Sequence, residues 1–581
     1  MSSKDLSPIE KQRHSAAHLL AMAVLAKMPN AKLAIGPSIE NGFYYDFELE
    51  NPLSIDNLPA LEKQMKLFIK QGLGFKRAEL SITEAKTLFS NQPYKQELIE
   101  QLSSEGESIV STYKTGEFVD LCKGGHVTST TEINPDGLKL TKIAGAYWRG
   151  DENRPMLQRV YGLLFESKEQ LDTYLRQQEE AEARDHKRLG KELDLFAFSE
   201  LVGAGLPLWT PKGTILRNLL DEQVWSMRKA KGYVKVEIPH ITKKELYEKS
   251  GHWDKFADEL FRIKTREGHE FAMKPMNCPH HTQIYARKAH SYRELPVRYA
   301  NTTMCYRDEQ TGELAGLSRV RSFTQDDAHV FCRSSQIRNE VNSIWDIVER
   351  FYATVGFSEL TIRLSRRDPN NSEKYLGDNK DWDEAEDALR EIIKIHDKVY
   401  IDGIGEAAFY GPKIDFIAKD ALGRSWQVAT IQLDFNMPKR FDLYCTNEKG
   451  EKERVTMIHA AIMGSIDRFL SILIEHHAGA FPAWLSPVQV MVIPISDKYI
   501  NYASEYVVKP LLGYGIRTEI DDANESVGKK IRNATKQKIP YILVVGEKEE
   551  QSGLVSVRSR DNGELGSLTL EQLIHDGSFI L

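Results

Sequence analysis

The chain has 581 residues, which corresponds to about four domains at roughly 150 residues each. Its hydrophobic content of 41% and charged content of 28% are ordinary for a globular protein, and its net charge of −7 excludes a basic field over the whole molecule. The sequence has no apolar signal segment and no run of apolar residues long enough to cross a bilayer, so we expect neither secretion nor a membrane span.

Cysteine usage bears on the redox compartment. The five cysteines are widely spaced and form no CxxC pair. Being odd in number, they cannot all pair with one another within one chain. This usage predicts a reducing cytoplasm and argues against a disulfide framework.

The first region carries two pairs of ligand-type side chains. His14 and His18 lie in an Ala/Leu-rich run that predicts a helix through Lys27, and their spacing places both imidazoles on one helix face. Cys122 and His126 repeat that spacing. By chemistry alone, the four side chains suggest a zinc site about as readily as a hydrolytic site without metal.

The segments that follow predict helices and one strand. Charged residues from Ser167 to about Arg188 predict a linker helix that ends at Gly190. Residues 213–228 predict an amphipathic helix, and residues 233–239 predict a strand that ends in a proline. A long helix followed by a strand occurs widely, so this pattern alone is weakly specific.

Functional side chains concentrate between Ala300 and Cys332. An apolar strand ends in Arg307-Asp308-Glu309, a turn-rich loop follows, and a second strand is predicted to present alternate residues on one face. Arginine suits a phosphate because its planar fork is always charged and can bond in bidentate fashion. This face favours a binding site over a solvated hairpin edge because it carries Arg319, Arg321, Phe323, Gln325, Asp327 and His329.

The rest of the chain predicts two kinds of sheet. Residues 405–415 and 426–435 alternate as strands of an antiparallel sheet, and residues 457–469 predict a strand that turns into a helix. After Pro487, apolar strands alternate with helices, which predicts a small α/β domain with a largely parallel core sheet.

Several of these strings resemble known motifs. Residues 307–329 resemble the second signature motif of class II aminoacyl-tRNA synthetases, and the string FTQDDAH is similar to the threonyl-tRNA synthetase family in particular. Residues 213–239 resemble the first class II motif and residues 457–468 the third. The HxxxH and CxxxH pairs resemble the second N-terminal domain of the bacterial family, although Gly125 stands where many relatives have proline. The family often carries a small ubiquitin-like domain ahead of this one, and we expect this sequence not to include it.

The resemblance implies an α+β multidomain fold. An N-terminal α+β editing domain would occupy residues 1–165 and a linker helix residues 166–188. A class II catalytic domain built on an antiparallel sheet would occupy residues 189–484, and an α/β anticodon-binding domain residues 485–581. The resemblance also implies a cytoplasmic homodimer that binds threonine tRNA, threonine and ATP, and no membrane.

The implied editing domain hydrolyses serine wrongly attached to threonine tRNA, in this family generally without a metal. Such a site is needed because one missing methyl group changes binding by only about 1–3 kcal/mol. We expect a water held by His18 and Lys95 to attack the ester, with Cys122 as a polar wall rather than a nucleophile. The implied pocket consists of His14, His18, Lys95, Cys122 and His126, with Tyr45 and Asp120 as weaker candidates.

The resemblance also implies a metal. Cys278, His329 and His459 are too far apart for their spacing to indicate zinc, but each lies in a string that matches a family ligand site. They would hold one Zn²⁺ per subunit with an open coordination position. Threonine could chelate the ion through its amino and hydroxyl groups, whereas isosteric valine leaves it without an oxygen ligand. His280 and His281 lie outside the matched positions and are expected to be structural.

The other cleft residues take roles that the resemblance implies. Arg307 would stabilise the α-phosphate, Glu309 would hold the adenine amino group, and Phe323 would stack on the base. Arg319 and Arg468 would clamp the outer phosphates with Mg²⁺. Gln325 and Asp327 would orient the amino acid. The threonine and adenylate pocket would be lined by Tyr410, Gln427, Thr430 and Gln432. Lys413 would be a further catalytic residue, and His252 would relay a proton during transfer.

In the C-terminal domain, the resemblance implies that Asn524, Glu549 and Arg558 read anticodon bases, whose free edges suit amide, carboxylate and guanidinium groups. Three alternatives remain: an RNA-binding regulator without catalysis, a hydrolase acting mainly on mischarged tRNA, and a class II enzyme for another amino acid. Arg307, Arg468 and the Cys/His/His set argue against the first.

Overall fold

The computed structural model describes residues 6–576 and Phe579. The chain divides into two compact units, Met1–Glu179 and Glu180–Leu581. The division falls within the helix Lys168–Arg184, in the segment predicted as a linker. A second helix, His186–Glu192, follows it, so the prediction that Gly190 ends a helix is wrong: Gly190 lies inside one.

The N-terminal unit combines two antiparallel sheets with helices. Its first helix begins after Ser7, whose side chain accepts a hydrogen bond from the backbone N–H of Glu10 in a capping box. The buried Ala/Leu face of that helix packs into the core of the unit. The helices are Pro8–Lys27, Leu58–Lys70, Ile82–Leu88 and Pro93–Ser104. The larger sheet contains the strands Lys32–Leu33, Ser38–Ile39, Gly42–Glu48, Met156–Leu164 and Leu138–Tyr147. The smaller sheet contains Phe75–Ser81, Ile109–Thr115 and Phe118–Leu121.

The second unit is organised around a large sheet. Neighbouring strands are antiparallel except for the outermost pair at each edge, which is parallel. In spatial order the strands are Val234–Lys235, Val297–Tyr306, Ser322–Cys332, Thr456–Ala461, Ser425–Asp434, Lys413–Lys419, Leu360–Arg366 and Tyr400–Ile404. The predicted strand 233–239 is therefore reduced to two residues at one edge.

Alternation along the central strands separates the core from the functional face. Ala328 and Val330 point into the core, where long helices cover the sheet. Gln325, Asp327 and His329 consequently lie on the opposite face. Arg319 and Arg321 were predicted on the same strand, but the strand begins at Ser322 and both arginines belong to the preceding loop. The covering helices are Pro211–Ala230, Ile337–Thr354, Asn379–Ile395 and Ile466–His477.

Shorter elements surround the large sheet. The helices are Lys244–Ser250, His252–Lys255, Cys278–Ala286 and Asn436–Arg440; the strands are Phe196–Ala197 with Leu208–Trp209, Ile241–Lys243 with Glu270–Met273 and Arg262–Lys264, and Tyr444–Thr446 with Lys452–Arg454.

The last part of the chain forms a sheet with the predicted parallel core and two further strands added at one edge. Its strands lie in the order Thr518–Ile520, Val490–Pro494, Tyr541–Val545, Val555–Ser559 and Gly563–Leu568. The first three strands are parallel to one another. Each of the last two pairs antiparallel with the strand before it in this order. The helices are Ile500–Tyr502, the π-helical turn Ala503–Val508, Lys509–Gly513, Val527–Lys536, Glu547–Ser552 and Leu570–Asp576. Within residues 6–576 and Phe579, no helix has the length and apolarity that a membrane crossing requires.

Candidate active site

A cleft of about 690 Å³ opens on the functional face of the large sheet. Fifteen predicted site residues line this one cleft, because the sheet brings together strands, and the loops and helices joined to them, that are far apart in sequence. They are Cys278, Arg307, Glu309, Arg319, Phe323, Gln325, Asp327, His329, Tyr410, Lys413, Gln427, Thr430, Gln432, His459 and Arg468.

Cys278, His329 and His459 form a compact, buried cluster at the floor of the cleft. Their ligand atoms all lie within 4.8 Å of one another. His329 and His459 are direct partners on neighbouring strands, which places Nε2 of one 3.0 Å from Nδ1 of the other. Cys278 begins the helix Cys278–Ala286. One thiol and two imidazoles, with a cleft on the remaining side, match a zinc site that keeps an open position.

Two outer contacts orient these imidazoles. Nε2 of His459 donates to Oδ2 of Asp434 at 2.9 Å, which leaves the lone pair of Nδ1 free on the other side of the ring. Nδ1 of His329 lies 2.8 Å from Nδ1 of His281. His281 is therefore in contact with the cluster, as an outer neighbour rather than a member of the set.

Burial sets the protonation states around the cluster. It lowers the pKa of His329 well below the usual value, so this imidazole is neutral and able to bind a metal. Burial raises the pKa of the Asp327 carboxyl to about 6, so the group is mostly ionised at neutral pH. The Asn277 side chain donates to Asp327 at 3.1 Å and holds the carboxylate in place.

Cationic groups also line the cleft. The guanidinium carbon of Arg307 lies 5.3 Å from the centroid of Phe323, over its ring. Arg319 donates to Glu309 at 2.7 Å and to Glu313 at 2.9 Å. Arg468 lies in the first turn of the helix Ile466–His477, where the backbone dipole also favours an anion.

A fully buried carboxylate organises the side wall of the cleft. Oδ1 of Asp415 accepts hydrogen bonds from Gln427 and Thr430, each at 2.8 Å. Oδ2 accepts from Lys413 at 2.6 Å and from Ser365 at 2.7 Å. Three predicted cleft residues are thus held by one residue that the sequence prediction missed.

Two missed residues share a signal that was available in the sequence. Asp415 lies two residues after Lys413, and Asp434 two residues after Gln432, so each occupies the same strand face as a predicted site residue. Strand alternation could have identified both.

His252 lies behind the cleft floor. It is fully buried, its Nε2 lies 3.9 Å from the sulfur of Cys278, and its Nδ1 contacts the hydroxyl of Ser250 at 2.8 Å. Burial lowers the pKa of His252 to about 3, so the ring is neutral at physiological pH.

The N-terminal unit contains the second predicted pocket. His14, His18, Cys122 and His126 place one ligand atom each within 4.8 Å of the others. The sulfur of Cys122 lies 3.2 Å from Nε2 of His126 and 3.5 Å from Nε2 of His14. The helix Pro8–Lys27 supplies the first two residues, and the loop after Phe118–Leu121 supplies the other two.

A buried polar triad adjoins this pocket. Asp120 accepts from the hydroxyl of Tyr45 at 2.6 Å and pairs with the ammonium of Lys95 at 2.5 Å. Nε2 of His18 lies 3.7 Å from the same carboxylate, and its Nδ1 is buried with no hydrogen-bond partner. The weaker candidates Tyr45 and Asp120 therefore belong to the same cluster as Lys95 and His18.

The pocket is neutral apart from the Lys95–Asp120 pair. Burial lowers the pKa of His14 and, more strongly, that of His18, so both imidazoles are in the neutral form at neutral pH. Burial raises the pKa of the Cys122 thiol to about 12. A protonated thiol is a poor nucleophile, which fits the predicted polar wall.

The loop before His126 depends on Gly125. The φ of this residue is +89°, a left-handed backbone conformation that proline cannot adopt.

The three predicted anticodon residues lie in the C-terminal mixed sheet and its loops. Asn524 and Glu549 follow parallel strands at the same sheet edge. Glu549 accepts from the backbone N–H of Gly546 at 2.9 Å and from Ser556 at 2.8 Å. Arg558 is exposed and opposite Ile542, near the start of its neighbouring strand.

Comparison with protein families covers all three regions of the chain. The tRNA synthetase class II core domain (G, H, P, S and T) matches residues 261–477. The anticodon binding domain matches residues 489–576, and the threonyl and alanyl tRNA synthetase second additional domain matches residues 110–161.

Solved structures resemble the chain as well. The RNA-binding domain of a threonyl-tRNA synthetase from Cryptosporidium parvum Iowa II is 37% identical, with a TM-score of 0.64, covering 68% of this chain and 98% of that one. A prolyl-tRNA synthetase from Giardia lamblia is 17% identical with a TM-score of 0.54, covering 68% of this chain and 75% of that one, and supports the class II fold alone.

Two sequence relatives match this chain over almost its full length. The threonine–tRNA ligase of Gloeobacter violaceus is 46% identical over 98% of this chain and 92% of its own length. That of Acetivibrio thermocellus is 48% identical over 97% of this chain and 87% of its own. With an editing-type domain, a class II core and an anticodon-binding domain in that order, the chain belongs to the threonine–tRNA ligase family.

Proposed function

We propose that this chain activates threonine with ATP to threonyl-adenylate and transfers the threonyl group to threonine tRNA, releasing AMP and diphosphate. One observation carries the proposal: a single cleft joins a set of arginines to a buried Cys/His/His cluster. The arginine end suits a triphosphate, and the cluster suits a small amino acid with two metal-binding groups.

Activation relies on positioning and electrostatics. Arg307 stabilises charge at the α-phosphate as the threonine carboxylate attacks, while Glu309 and Phe323 bind the adenine. Arg319 exchanges its contacts with Glu309 and Glu313 for a phosphate, and Arg468 holds a second phosphate, with Mg²⁺ accompanying the nucleotide. Asp415 supports this geometry by fixing Lys413, Gln427 and Thr430.

Threonine is selected at the cluster. Cys278, His329 and His459 would hold Zn²⁺, which would supply a Lewis acid for an amine and a hydroxyl oxygen together. The donor set, its burial and the bond from His459 to Asp434 support this assignment. Asp327 and Gln325 orient the ammonium group, and Tyr410 and Gln432 complete the pocket.

The N-terminal pocket corrects serine errors. His18 and Lys95 position a water that attacks the ester of seryl-tRNA, and His14, Cys122 and His126 form the pocket wall. The unpartnered Nδ1 of His18 supports this role because a buried nitrogen with a free lone pair can accept a hydrogen bond from a water and hold it in place.

Other roles concern partners and boundaries. Asn524, Glu549 and Arg558 contact the anticodon, and His252 assists proton transfer to the tRNA ribose. The domain limits are 1–165, 166–188, 189–484 and 485–581. The enzyme acts in the cytoplasm as a homodimer whose interface includes the helix Pro211–Ala230 and the edge strand Val234–Lys235; the 53% exposure of Val234 supports that surface.

Aminoacylation of threonine tRNA tests the proposal. Charging is expected with threonine and not with valine or proline, and serine charging is expected to appear once the editing pocket is disabled. A non-catalytic regulator would bind tRNA without charging it, and a dedicated hydrolase would deacylate seryl-tRNA without activating any amino acid.

A further inference from the structure

A buried histidine outside the cleft contacts the loop that lines it. His186 begins the helix His186–Glu192 and is 4% exposed. Its Nδ1 lies 2.6 Å from Oε1 of Glu475, in the last turn of the helix Ile466–His477. Its Nε2 lies 3.1 Å from the backbone nitrogen of Leu317, which is fully buried in the loop before Ser322.

These contacts fix the tautomer of His186. A backbone N–H can only donate, so Nε2 must accept from Leu317 and carries no proton. Nδ1 then carries the proton and donates it to Glu475. The ring therefore links the loop to the helix through one accepted and one donated hydrogen bond.

The loop approaches the ring more closely than a side chain would allow. Gly316 has a φ of +56°, and a Cβ at this position would lie 2.3 Å from Nε2 of His186. The backbone of residues 316–317 thus rests directly on the imidazole. Any shift of the ring must move the loop.

The same stretch of loop carries a cleft arginine. Arg319 follows Leu317 by two residues, and its carbonyl accepts a hydrogen bond from Ala315 at 3.2 Å. Its side chain pairs with Glu309 and lines the cleft. On the other side of His186, Glu475 lies two helical turns from Arg468. The ring therefore links the loop that carries Arg319 to the helix that carries Arg468.

Glu475 is itself held firmly. Its Oε2 accepts from Arg424 at 2.5 Å, and its backbone carbonyl and that of His476 accept from Arg184 at 3.3 and 2.9 Å. Arg184 is the last residue of the helix Lys168–Arg184, so the end of that helix contacts the end of the helix Ile466–His477.

We propose that His186 is a positioning residue for ATP: by holding Leu317 against the end of the Arg468 helix, it sets the orientation of Arg319 and Glu309 toward the nucleotide. The inference rests on the proposed function, since it assigns ATP to that end of the cleft. Threonine binding at the Cys/His/His cluster should be independent of His186.

Two substitutions separate the two hydrogen bonds of the ring. His186→Asn reaches Glu475 but is too short to accept from Leu317, whereas His186→Gln has an oxygen near the position of Nε2. With ATP–pyrophosphate exchange, His186→Asn is expected to raise the KM for ATP about tenfold, because a buried N–H loses its acceptor. The KM for threonine should stay unchanged, and His186→Gln should return the KM for ATP to within about threefold of the wild type.

Two further variants complete the test, one as a second perturbation of the same contact and one as a control. Gly316→Ala pushes the loop off the ring from the other side and should raise the KM for ATP as His186→Asn does. Arg188→Ala removes only an exposed pair with Glu192 on the same short helix and should change neither KM.

The inference is overturned if His186→Asn keeps the wild-type KM for ATP, or if the Asn and Gln variants raise the KM values for ATP and threonine alike. Calorimetric titration with ATP alone distinguishes this failure from a failure of the proposed function. An unchanged Kd for ATP in His186→Asn rejects the role of His186, whereas absence of threonine-dependent exchange in the wild type rejects only the assigned reaction.

Discussion

Oδ2 of Asp434 accepts a hydrogen bond of 2.9 Å from Nε2 of His459, and this contact decides which nitrogen of the imidazole can bind a metal. The other oxygen of Asp434 is occupied by the backbone N–H groups of Asn436 and Met437, each at 2.8 Å. The carboxylate is thus fixed on one side and orients the imidazole on the other.

Asp434→Asn is expected to weaken zinc binding about 10- to 100-fold. The amide can keep its oxygen toward Asn436 and Met437, which turns its NH₂ group toward His459 and favours a proton on Nδ1, the metal-facing nitrogen. Competition with a chromogenic chelator measures the affinity. Asp442→Asn, which alters an exposed pair with Arg454, should leave zinc binding unchanged. Equal affinities for all three proteins would show that Asp434 does not orient a ligand.

Removing both helix imidazoles of the N-terminal pocket should uncouple editing from synthesis. For His14→Ala/His18→Ala we expect deacylation of seryl-tRNA to fall about 10²-fold or more, because the attacking water loses the imidazole that positions it. Threonine-dependent exchange should remain within about twofold. The exposed Lys86→Ala in the same unit is the matched control. Undiminished deacylation in the double variant would reject the assigned pocket.

Cys122 should resist alkylation at neutral pH. Since burial raises the pKa of its thiol to about 12, the reactive thiolate is scarce. At pH 8 a thiol with that pKa is ionised to about 10⁻⁴, against about 0.2 for an ordinary cysteine. Iodoacetamide labelling, read by mass spectrometry at the Cys122 peptide, should be at least about 100-fold slower than for a free thiol. Its rate should keep rising through pH 9; a plateau near pH 8 would contradict a protonated wall.

Arg468 should bind the phosphates through the charge and the bidentate hydrogen-bonding geometry of its guanidinium group. Arg468→Ala is expected to lower kcat/KM for ATP in the exchange reaction about 100-fold or more, and Arg468→Lys about tenfold, since lysine keeps the charge but not the bidentate geometry. Arg350→Ala, on the exposed face of the helix Ile337–Thr354, should match the wild type. If the alanine variant also matches it, the phosphate assignment fails.

Periodicity predicted the elements where local pattern dominates. The helix through Lys27 follows from apolar spacing, and the strand face of Gln325, Asp327 and His329 follows from alternation. The helical Gly190 was missed because its cost is offset by a tight contact: an added Cβ would lie 2.2 Å from the ring of Phe196.

The cluster of Cys278, His329 and His459 could not follow from spacing. His329 and His459 become neighbours only because two strands distant in sequence pair in register, and Cys278 reaches them from a separate helix. Resemblance to a family identified the three residues, but not the tertiary contacts of Asp434, Asp415 and His186. Those contacts depend on how strands and helices pack, which local sequence does not encode.

Threonine-dependent ATP–pyrophosphate exchange by the zinc-loaded protein, compared with valine at equal concentration, is the most direct test of the central claim. We expect exchange with threonine and a rate with valine lower by about 10⁴-fold or more, because valine would leave the zinc ion at the buried cluster without an oxygen ligand. Exchange with valine at a comparable rate, or none with threonine, would contradict the account.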